Sequence, residues 1–452
     1  MRYLSITPED RQAMLDKIGV SSVEELFNSV PADVKLTNKL NLPNALSEPE
    51  LRRYFAALAK ENSGSDMLTF LGAGAYRHNS PAHIDQLLLR SEFYTAYTPY
   101  QPEVSQGTLQ SIFEFQTMVA DLFDMHASNA SMYDGATAAA EAALMATKVN
   151  KKRNKLVIAS SMHPQYIETI RTYTAHFVEK IVLLEIDPKT GMTSTEELAK
   201  IDEQTIAVMF QYPNFFGVIE DGQAISEKTK AVKALLIPVV IETTALAILQ
   251  APGELGADIA VGEGQPLGIP VNFGGPGVGL FTASKKLVRK MPGRLIGETK
   301  DKNGNDCFVL TLAAREQHIK REKATSNICS NQGLMALAAG IYLASMGPKG
   351  LEKVALMNVR RAEKLKKMLV EQTNCEIAFS GPTYNEFSLM TPIKASEFTK
   401  KMEEKGIVAG LPIDKYYPAL DNTLLVTVSE LHTDEELEKF VSATKEIIGG
   451  AK

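Results

Sequence analysis

The stretch from Ile237 to Leu280 constrains the fold of this chain more than any other part of its sequence. It reads IPVVIETTALAILQAPGELGADIAVGEGQPLGIPVNFGGPGVGL. Three apolar runs, 237–241, 257–261 and 278–282, are short and partly β-branched, which predicts buried strands. A Pro-Gly turn precedes the second run, and a glycine-dense loop, 262–279, leads into the third. Strands joined by such loops form the floor of a ligand crevice in α/β enzymes.

Apolar runs and helical patterns alternate through the middle of the chain. The runs cover 156–159, 181–186, 206–210 and 238–241, and the helical patterns between them cover 164–177, 195–201 and 221–236. This alternation predicts an α/β fold with a large, mostly parallel sheet and helices on both faces. The crevice of such a sheet lies at the carboxyl ends of its strands.

The remainder of the chain predicts two flanking parts. In the C-terminal part, helical patterns cover 285–291, 313–321, 328–346, 351–372, 395–405 and 434–448, and short strands cover 376–380, 386–390 and 424–428. Near the N-terminus, Ser22 with Glu25 and Ser47 with Glu50 match the capping box of helix starts. We therefore expect a helical arm or accessory layer at 1–90, a large α/β domain at 91–345 and a small α/β domain at 346–452.

Composition excludes several classes of protein. The 452 residues carry a net charge of −6, which argues against a nucleic-acid binder. The three cysteines lie far apart without a CxxC pair, which disfavours a disulfide framework and a structural zinc site. The N-terminal sequence becomes charged before an apolar region forms, so neither a signal peptide nor a membrane span is predicted. We expect a soluble cytoplasmic protein without a metal.

A loop-like segment at 70–107 concentrates aromatic and amide side chains. It contains several glycines and prolines together with Tyr94, Tyr97, Tyr100, Gln101 and Gln106. Long irregular loops in compact domains are usually functional, and a tyrosine offers an apolar ring with a polar tip. We favour a role at a site or an interface over the alternative, that the tyrosines only pack the loop down.

A second small motif occurs where a turn leads into an alanine-rich helix. Asp134, Gly135, Ala136 and Thr137 are small or capping residues, and free N–H groups at such a helix start suit a phosphate. The alternative is that small side chains here serve close packing of the helix against a sheet. The motif alone does not separate the two.

Four longer segments carry a resemblance to a known family. They read YTPYQPEVSQGTLQSIFEFQ, NASMYDGATAAAEA, FGGPGVGLF and REQHIKREKATSNICSNQ. Together with the order of strands, they resemble the fold-type I pyridoxal-phosphate enzymes. More closely, they resemble the first-subunit family of two-subunit glycine dehydrogenase (decarboxylating), the P-protein of the glycine cleavage system. The resemblance spans nearly the whole chain.

The resemblance implies a reaction and three functional groups that the protein must supply for it. In that family glycine forms a Schiff base with pyridoxal phosphate, loses its carboxylate, and passes its methylamine to the lipoyl arm of the H-protein. The chemistry needs a lysine amine that holds the cofactor, an acid against the ring nitrogen, and donors that grip the phosphate.

This chain differs from what the family chemistry requires at each of these three functional groups. Gln265 stands where the catalytic partner carries its lysine, and no lysine occurs between Lys233 and Lys285. A carboxamide nitrogen is not nucleophilic, so it cannot hold the cofactor. Glu242 replaces the aspartate at the strand end, and Asp134 would repel a phosphate dianion. His163 is a relic of a ring-stacking histidine.

These departures predict the non-catalytic half of a duplicated enzyme. The resemblance implies a homologous partner that carries the lysine and binds pyridoxal phosphate, in an α2β2 assembly that serves the H-protein. Tyr94, Tyr97, Tyr100, Gln101 and Gln106 are then the expected contributors to the partner's active-site mouth. Two alternatives stay open, a self-contained pyridoxal-phosphate aminotransferase or decarboxylase and a catalytically silent scaffold.

A basic cluster lies near the end of the predicted large domain. Arg315, His318, Lys320, Arg321 and Lys323 lie close together in sequence. Such a cluster is most often a solvated helix face. A docking patch for an acidic H-protein, or a grip on the partner chain, is the alternative interpretation.

Overall fold

The structure, a computed structural model, describes residues 5–36, 38, 40–272 and 274–449. The predicted lack of a signal peptide rests partly on residues 1–4, which lie outside these ranges. The chain divides into two compact units, Met1–Ser65 and Asp66–Lys452. The three-part division at residues 90 and 345 stays a prediction.

The first unit contains helices α1 (Pro8–Ile18) and α2 (Glu48–Glu61) and a 3-10 helix at Val23–Phe27. Before α2, the carboxylate of Glu50 accepts hydrogen bonds from the backbone N–H and hydroxyl of Ser47, as the capping box predicts. The predicted box at Ser22 is wrong, because the Glu25 carboxylate accepts the backbone N–H of Ser21 instead.

The second unit holds the strands, which we number along the chain. They are β1 (Leu68–Thr69), β2 (Ala127–Ser128), β3 (Lys155–Ala159), β4 (Lys180–Leu184), β5 (Thr205–Gln211), β6 (Leu235–Val240), β7 (Ile259–Glu263), β8 (Gly279–Ala283), β9 (Leu295–Lys300), β10 (Asp306–Thr311), β11 (Glu376–Ile377), β12 (Glu386–Met390), β13 (Ile407–Val408), β14 (Leu411–Pro412) and β15 (Thr423–Thr427).

The α-helices of this unit continue the numbering of the first. They are α3 (His83–Leu88), α4 (Ser91–Tyr94), α5 (Gln106–Leu122), α6 (Gly135–Val149), α7 (Pro164–Thr174), α8 (Gly222–Ala231), α9 (Gln317–Lys320), α10 (Gly333–Gln372), α11 (Ala395–Glu403) and α12 (Asp434–Ile448). Single turns of 3-10 helix at Glu196–Lys200, Thr243–Ala247 and Lys285–Lys290 connect some of the strands.

The large sheet has seven strands in the order β2-β8-β7-β6-β5-β3-β4. Strands β3 to β7 pair in parallel, whereas β8 runs antiparallel to both β7 and β2. Residues of β3, β5, β6 and β7 are buried throughout, as expected for strands with helices on both faces. The α/β fold predicted from the alternating pattern is confirmed.

The second sheet has four strands in the order β11-β12-β15-β14, all antiparallel. It packs with the second half of α10 and with α11 and α12 around a core that includes Phe387, Phe398 and Phe440. The amino end of β12 and the loop after β15 lie beside the carboxyl ends of the strands of the large sheet. At the amino end of β12, for example, Asn385 donates a hydrogen bond to Glu242.

Several predicted elements differ in extent. The helix expected at 221–236 ends at Ala231, because the chain must leave the helix before entering β6. The helix expected at 313–321 is broken into short turns, because the backbone of Glu316 is extended and Arg321 has a positive φ. The hairpin of β9 and β10 has no counterpart in the predicted elements.

The longest helix, α10, interrupts its helical geometry at Gly347, where the predicted break lies. By length and composition alone, this helix is apolar enough to cross a membrane. Its Ala336, Ala339, Tyr342 and Leu343 are instead buried in a core that includes residues of β8, so we interpret α10 as a core helix.

Candidate functional site

Three side chains named by the sequence meet at the carboxyl edge of the large sheet. His163 follows β3, Glu242 follows β6, and Gln265 follows β7, and all three are buried. The segment Gly72–His78 lies across them and contacts each one. The sequence predicted the meeting of the three side chains but did not predict the segment that covers them.

The carboxamide of Gln265 is fully engaged by backbone groups. Its Nε2 donates to the carbonyl oxygens of Tyr76 (2.8 Å) and Ile269 (2.7 Å), and its Oε1 accepts the N–H of Tyr76 (2.9 Å). The side-chain amide of Gln265 therefore forms with the Tyr76 backbone the same two hydrogen bonds that a residue of a neighbouring β-strand would form. A buried amide with both ends satisfied holds the segment in place and has no reactive lone pair to offer a carbonyl.

Glu242 pairs with a histidine, His78. Its Oε2 lies 2.9 Å from Nε2 of His78 and accepts a hydrogen bond from Asn385 (3.1 Å). Its Oε1 accepts the hydroxyl of Thr244 at 2.6 Å and the backbone N–H of the same residue. Glu242 therefore caps the 3-10 helix that follows it and accepts hydrogen bonds from three neighbouring residues.

His78 joins two buried carboxylates. Its Nδ1 lies 2.8 Å from Oε2 of Glu430, and its Nε2 contacts Glu242. Burial opposes the charged ring, but the two carboxylates outweigh it and raise the pKa of His78 to about 10. Burial alone would raise the pKa of Glu430, and the hydrogen bond and charge of His78 bring that pKa below its usual value. The three groups form an ionic bridge.

His163 is held as a neutral ring. Its Nδ1 accepts the N–H of Gln165 (3.2 Å), so its Nε2 carries the hydrogen that is donated to the carbonyl oxygen of Ala73 (3.0 Å). Burial lowers the pKa of His163, which agrees with this state. Gly74 has a φ of +102°, and a Cβ at this position would lie 3.2 Å from the His163 ring. The segment therefore covers the His163 ring.

The start of α6 is filled by carboxylates of this chain. Oδ1 of Asp134 accepts the N–H of Thr137 (2.8 Å), and Oε2 of Glu263 accepts the N–H of Gly135 (2.8 Å). The other oxygen of Glu263 accepts the N–H groups of Gln265 and Val278. Burial raises the pKa of Glu263 to about 7 despite these donors. Because carboxylates already satisfy these N–H groups, a phosphate does not fit the small-residue turn, Ala136 included.

Glu386 is a further buried carboxylate that sequence reasoning missed. It accepts the N–H of Ala73 (2.7 Å), the hydroxyl of Thr427 (2.7 Å) and the hydroxyl of Tyr76 (3.1 Å). Burial raises its pKa to about 7. A lone Glu at the start of a short strand gives no sequence signal for this role, and neither do His78 or Glu430.

Taken together, these contacts test whether pyridoxal phosphate fits this chain, and it does not. The lysine position is an amide bonded to Tyr76, the face of His163 is covered by Gly74, and the helix start is satisfied by Asp134 and Glu263. Within the described ranges, no group of three or more metal-ligating side chains is placed to hold a metal ion.

The predicted tyrosine loop lies outside this crevice and is largely exposed. Tyr97 is 88% exposed, and Tyr94 and Tyr100 are more than half exposed. Tyr94 and Tyr97 line an open groove together with Leu334 and Leu337 of α10. The loop thus offers rings that are not packed down.

Tyr100 is fixed by a buried guanidinium. Arg294 is 6% exposed, donates to the Tyr100 hydroxyl at 3.1 Å, and lies 5.4 Å from the centre of its ring. The same nitrogen donates to the carbonyl of Cys329 (2.8 Å), and Glu316 lies 3.9 Å from the guanidinium.

The two glutamines of the loop have different surroundings. Gln101 is exposed, at the start of a 3-10 turn. Gln106 uses its amide to bridge α5 and β10, accepting the N–H of Phe308 (2.9 Å) and donating to the carbonyl of the same residue (2.9 Å). These contacts give Gln106 a structural role at its present position.

The basic cluster also contains both hydrogen-bonded and solvent-exposed side chains. Arg315 is partly buried and donates to the carbonyl oxygens of Met291 and Gly293, whereas the other members, His318, Lys320, Arg321 and Lys323, are exposed. The exposed members form the part of the cluster that is free to face solvent or a partner.

Comparison with known proteins identifies the family. The family model of the glycine cleavage system P-protein matches residues 1–444. A probable glycine dehydrogenase (decarboxylating) subunit 1 of Halalkalibacterium halodurans is 48% identical over 97% of this chain and 98% of its own length. The protein of the same name from Carboxydothermus hydrogenoformans is 48% identical over the whole of both chains.

Solved structures agree in fold. The crystal structure of a glycine decarboxylase (P-protein) of the glycine cleavage system, in inhibitor-bound form, has a TM-score of 0.90 and 39% identity, covering 99% of this chain and 100% of that chain. A sphingosine-1-phosphate lyase of Burkholderia pseudomallei has a TM-score of 0.68 at 14% identity over 92% of this chain and 94% of its own, which shows shared fold only.

The fold is thus that of the fold-type I pyridoxal-phosphate-dependent transferases, as the sequence predicted. Length, coverage and identity all place the chain with relatives named as one subunit of an enzyme, a name that implies a second subunit. This chain belongs to the glycine cleavage system P-protein family, among the proteins named subunit 1 of glycine dehydrogenase (decarboxylating).

Proposed function

We propose that this chain is the subunit of the P-protein that does not hold the cofactor. With a homologous, lysine-bearing subunit it forms an α2β2 enzyme. The partner binds pyridoxal phosphate, and the assembly decarboxylates glycine and transfers the methylamine to the lipoyl arm of the H-protein. We also propose a cytoplasmic location, because Cys307, Cys329 and Cys375 are free thiols.

The observation that carries this proposal is the state of Gln265. It occupies the lysine position of the family, and its amide is committed to Tyr76 and Ile269. No lysine occurs from Ala234 to Ser284 to replace it. This disfavours the alternative of a self-contained aminotransferase or decarboxylase.

The exposed tyrosine loop supports a contribution to the partner's active-site mouth. Tyr97 projects into solvent, and Tyr94 lines an open groove. Exposed tyrosines with an apolar floor beneath them are typical of surfaces that bind another protein chain. Tyr100 is held at the base of the loop by Arg294 and so sets the loop's position.

The decisive experiment is reconstitution. The chain is purified alone and with its lysine-bearing partner, and molar mass and glycine–bicarbonate exchange are measured for each. We expect no exchange from the chain alone, no pyridoxyl adduct after borohydride treatment, and both exchange and an α2β2 mass from the mixture. A borohydride-trapped adduct on the isolated chain would overturn the proposal.

The scaffold alternative is separated from a contribution in trans by variants of the loop. Tyr97→Ala in the complex should lower the exchange rate while the molar mass stays that of the wild type. Tyr54→Ala, another exposed tyrosine, is the matched control. An unchanged rate in Tyr97→Ala, with assembly intact, favours the silent scaffold.

A further inference from the structure

Three residues of the segment Gly72–His78 each contact side chains at the ends of strands in both the seven-stranded and the four-stranded sheet. Ala73 donates its N–H to Glu386 at the start of β12, and its carbonyl accepts a hydrogen bond from His163, which follows β3. Tyr76 donates its hydroxyl to Glu386, and its backbone pairs with Gln265, which follows β7.

His78 is the third residue of the segment that contacts both sheets, and its contacts are ionic. One ring nitrogen contacts Glu242, which follows β6 of the large sheet, and the other contacts Glu430, which follows β15 of the small sheet. Both contacted atoms are carboxylate oxygens, which accept hydrogen bonds when ionised, so both nitrogens donate and the ring is cationic. The His78 side chain is 2% exposed, and those of Glu242 and Glu430 are 4% and 8% exposed.

We propose that Gly72–His78 is an internal brace that occupies the crevice in place of the cofactor and fastens the two sheets to each other, with His78 as its central pin. Each contact of the brace lies at a position where the family resemblance implies a cofactor-binding group. The cation of His78 lies against the strand-end acid, the peptide of Tyr76 pairs at the lysine position, and Gly74 lies on the His163 ring.

The brace has a consequence for how the subunit moves. Hinge closure around a ligand requires a crevice that opens when the ligand leaves. Here the chain itself fills the crevice, so the two sheets stay closed in the isolated subunit. Adding pyridoxal phosphate therefore changes nothing at this site.

Hydrogen exchange of the wild-type chain tests the brace without a substitution. The amides of Ala73 and Tyr76 are hydrogen-bonded to Glu386 and Gln265, and exchange requires those bonds to open. We expect these amides to exchange as slowly as those of β6 and β15, both with and without pyridoxal phosphate. Exchange of peptide 70–80 that is far faster than that of both strands, or that slows on adding the cofactor, would overturn the proposal.

A charge-matched set of variants tests the pin. His78→Gln leaves two buried carboxylates without a cation, so peptides 70–80 and 428–432 should exchange roughly 100-fold faster or more. The triple variant His78→Gln, Glu242→Gln, Glu430→Gln removes those charges together and should recover most of the protection. His176→Gln, on an exposed ring, is the control and should exchange as the wild type does.

The outcomes are distinct from those of the proposed function. If His78→Gln accelerates only peptide 70–80 and leaves 428–432 unchanged, the segment is a local loop and not a brace. If His78→Gln does not fold, 15N spectra of the wild type at pH 7.5 decide the question, since a pin requires both ring nitrogens of His78 to be protonated. A neutral His78 ring would overturn the proposal whatever the activity of the complex.

Discussion

At the scale of single residues, one substitution changes what the crevice can do. We propose that a lysine amine at the matching position of the partner subunit holds the cofactor aldehyde. Gln265 instead offers an amide that pairs with the backbone of Tyr76 at both its nitrogen and its oxygen. Its neighbours have adapted to this pairing, because Gly74 and His78 occupy the space in front of the strand ends. The contacts that fill this crevice are therefore distributed over several residues.

Restoring the lysine should therefore fail to restore the cofactor site. In Gln265→Lys the ammonium replaces an amide that made three hydrogen bonds to backbone groups, and Tyr76 keeps its place. We expect no pyridoxyl adduct at residue 265 after borohydride treatment, by mass spectrometry. We also expect the free energy of unfolding to fall by about 2–4 kcal/mol in urea. Gln101→Lys, at an exposed position, is the control, and an adduct at residue 265 would contradict this prediction.

Glu386 predicts a pH dependence of stability. Its pKa is raised from 4.5 to about 7 in the folded chain. A raised folded pKa contributes stability that is fully present below the unfolded value, near 4.5, and is lost as the pH rises through 7. Glu386→Gln removes this loss, so relative to the wild type its unfolding free energy should rise by about 1–3 kcal/mol between pH 4.5 and pH 8.

Urea unfolding of both proteins across that pH range measures the difference. Glu263, whose pKa is also raised to about 7, titrates in the same window but is present in both proteins, so its effect cancels. Parallel pH profiles for the wild type and Glu386→Gln would show that folding does not raise the pKa of Glu386, and would contradict the prediction.

At the scale of elements, the first turn of helix α6 shows how a small-residue motif is occupied by carboxylates of the same chain. Its first turn is capped by Asp134 and Thr137, and Glu263 reaches the N–H of Gly135. The sequence predicted the turn and the helix correctly. It left open whether small residues served a ligand or close packing, because that choice depends on Glu263 and Tyr166, which are distant in sequence.

Two glycine substitutions at helix starts should differ in sign. A Cβ at Gly135 would lie 2.4 Å from the Tyr166 hydroxyl and 3.2 Å from the backbone nitrogen of Glu263. We expect Gly135→Ala to lower the free energy of unfolding by about 1–3 kcal/mol. Gly107, near the start of α5, has no atom within 4 Å of a built Cβ, so Gly107→Ala should raise it by about 0.5–1 kcal/mol. Urea unfolding of both variants measures the pair, and equal effects would contradict the prediction.

At the scale of the whole molecule, the hydrophobic cores lie in the second unit. For the described residues, the hydrophobic clusters draw their members from Leu68 onward. In the described part of the first unit, Leu15 alone is buried, and helix α2 exposes Leu51, Tyr54, Phe55 and Leu58. Cooperative stability therefore belongs to residues 66–452.

A truncation tests this division. Residues 66–452 expressed alone should unfold at the same urea midpoint as the full chain, because they contain the core clusters. Removing α12 (residues 434–452) is the control, since it deletes Leu437 and Phe440 from the core of the small sheet and should abolish cooperative unfolding. A clearly lower midpoint for residues 66–452 would contradict the prediction.

The sequence by itself determined the order of strands and helices, the crevice at the carboxyl edge and the absence of a lysine from it. These follow from local patterns, since apolar periodicity and glycine punctuation reflect the backbone of each element. The tertiary structure decided what fills the crevice. Tyr76 lies 189 residues from Gln265 along the chain, and His78 lies 164 residues from Glu242. No local pattern carries such a contact, because burial and charge pairing select it only when the whole chain is folded.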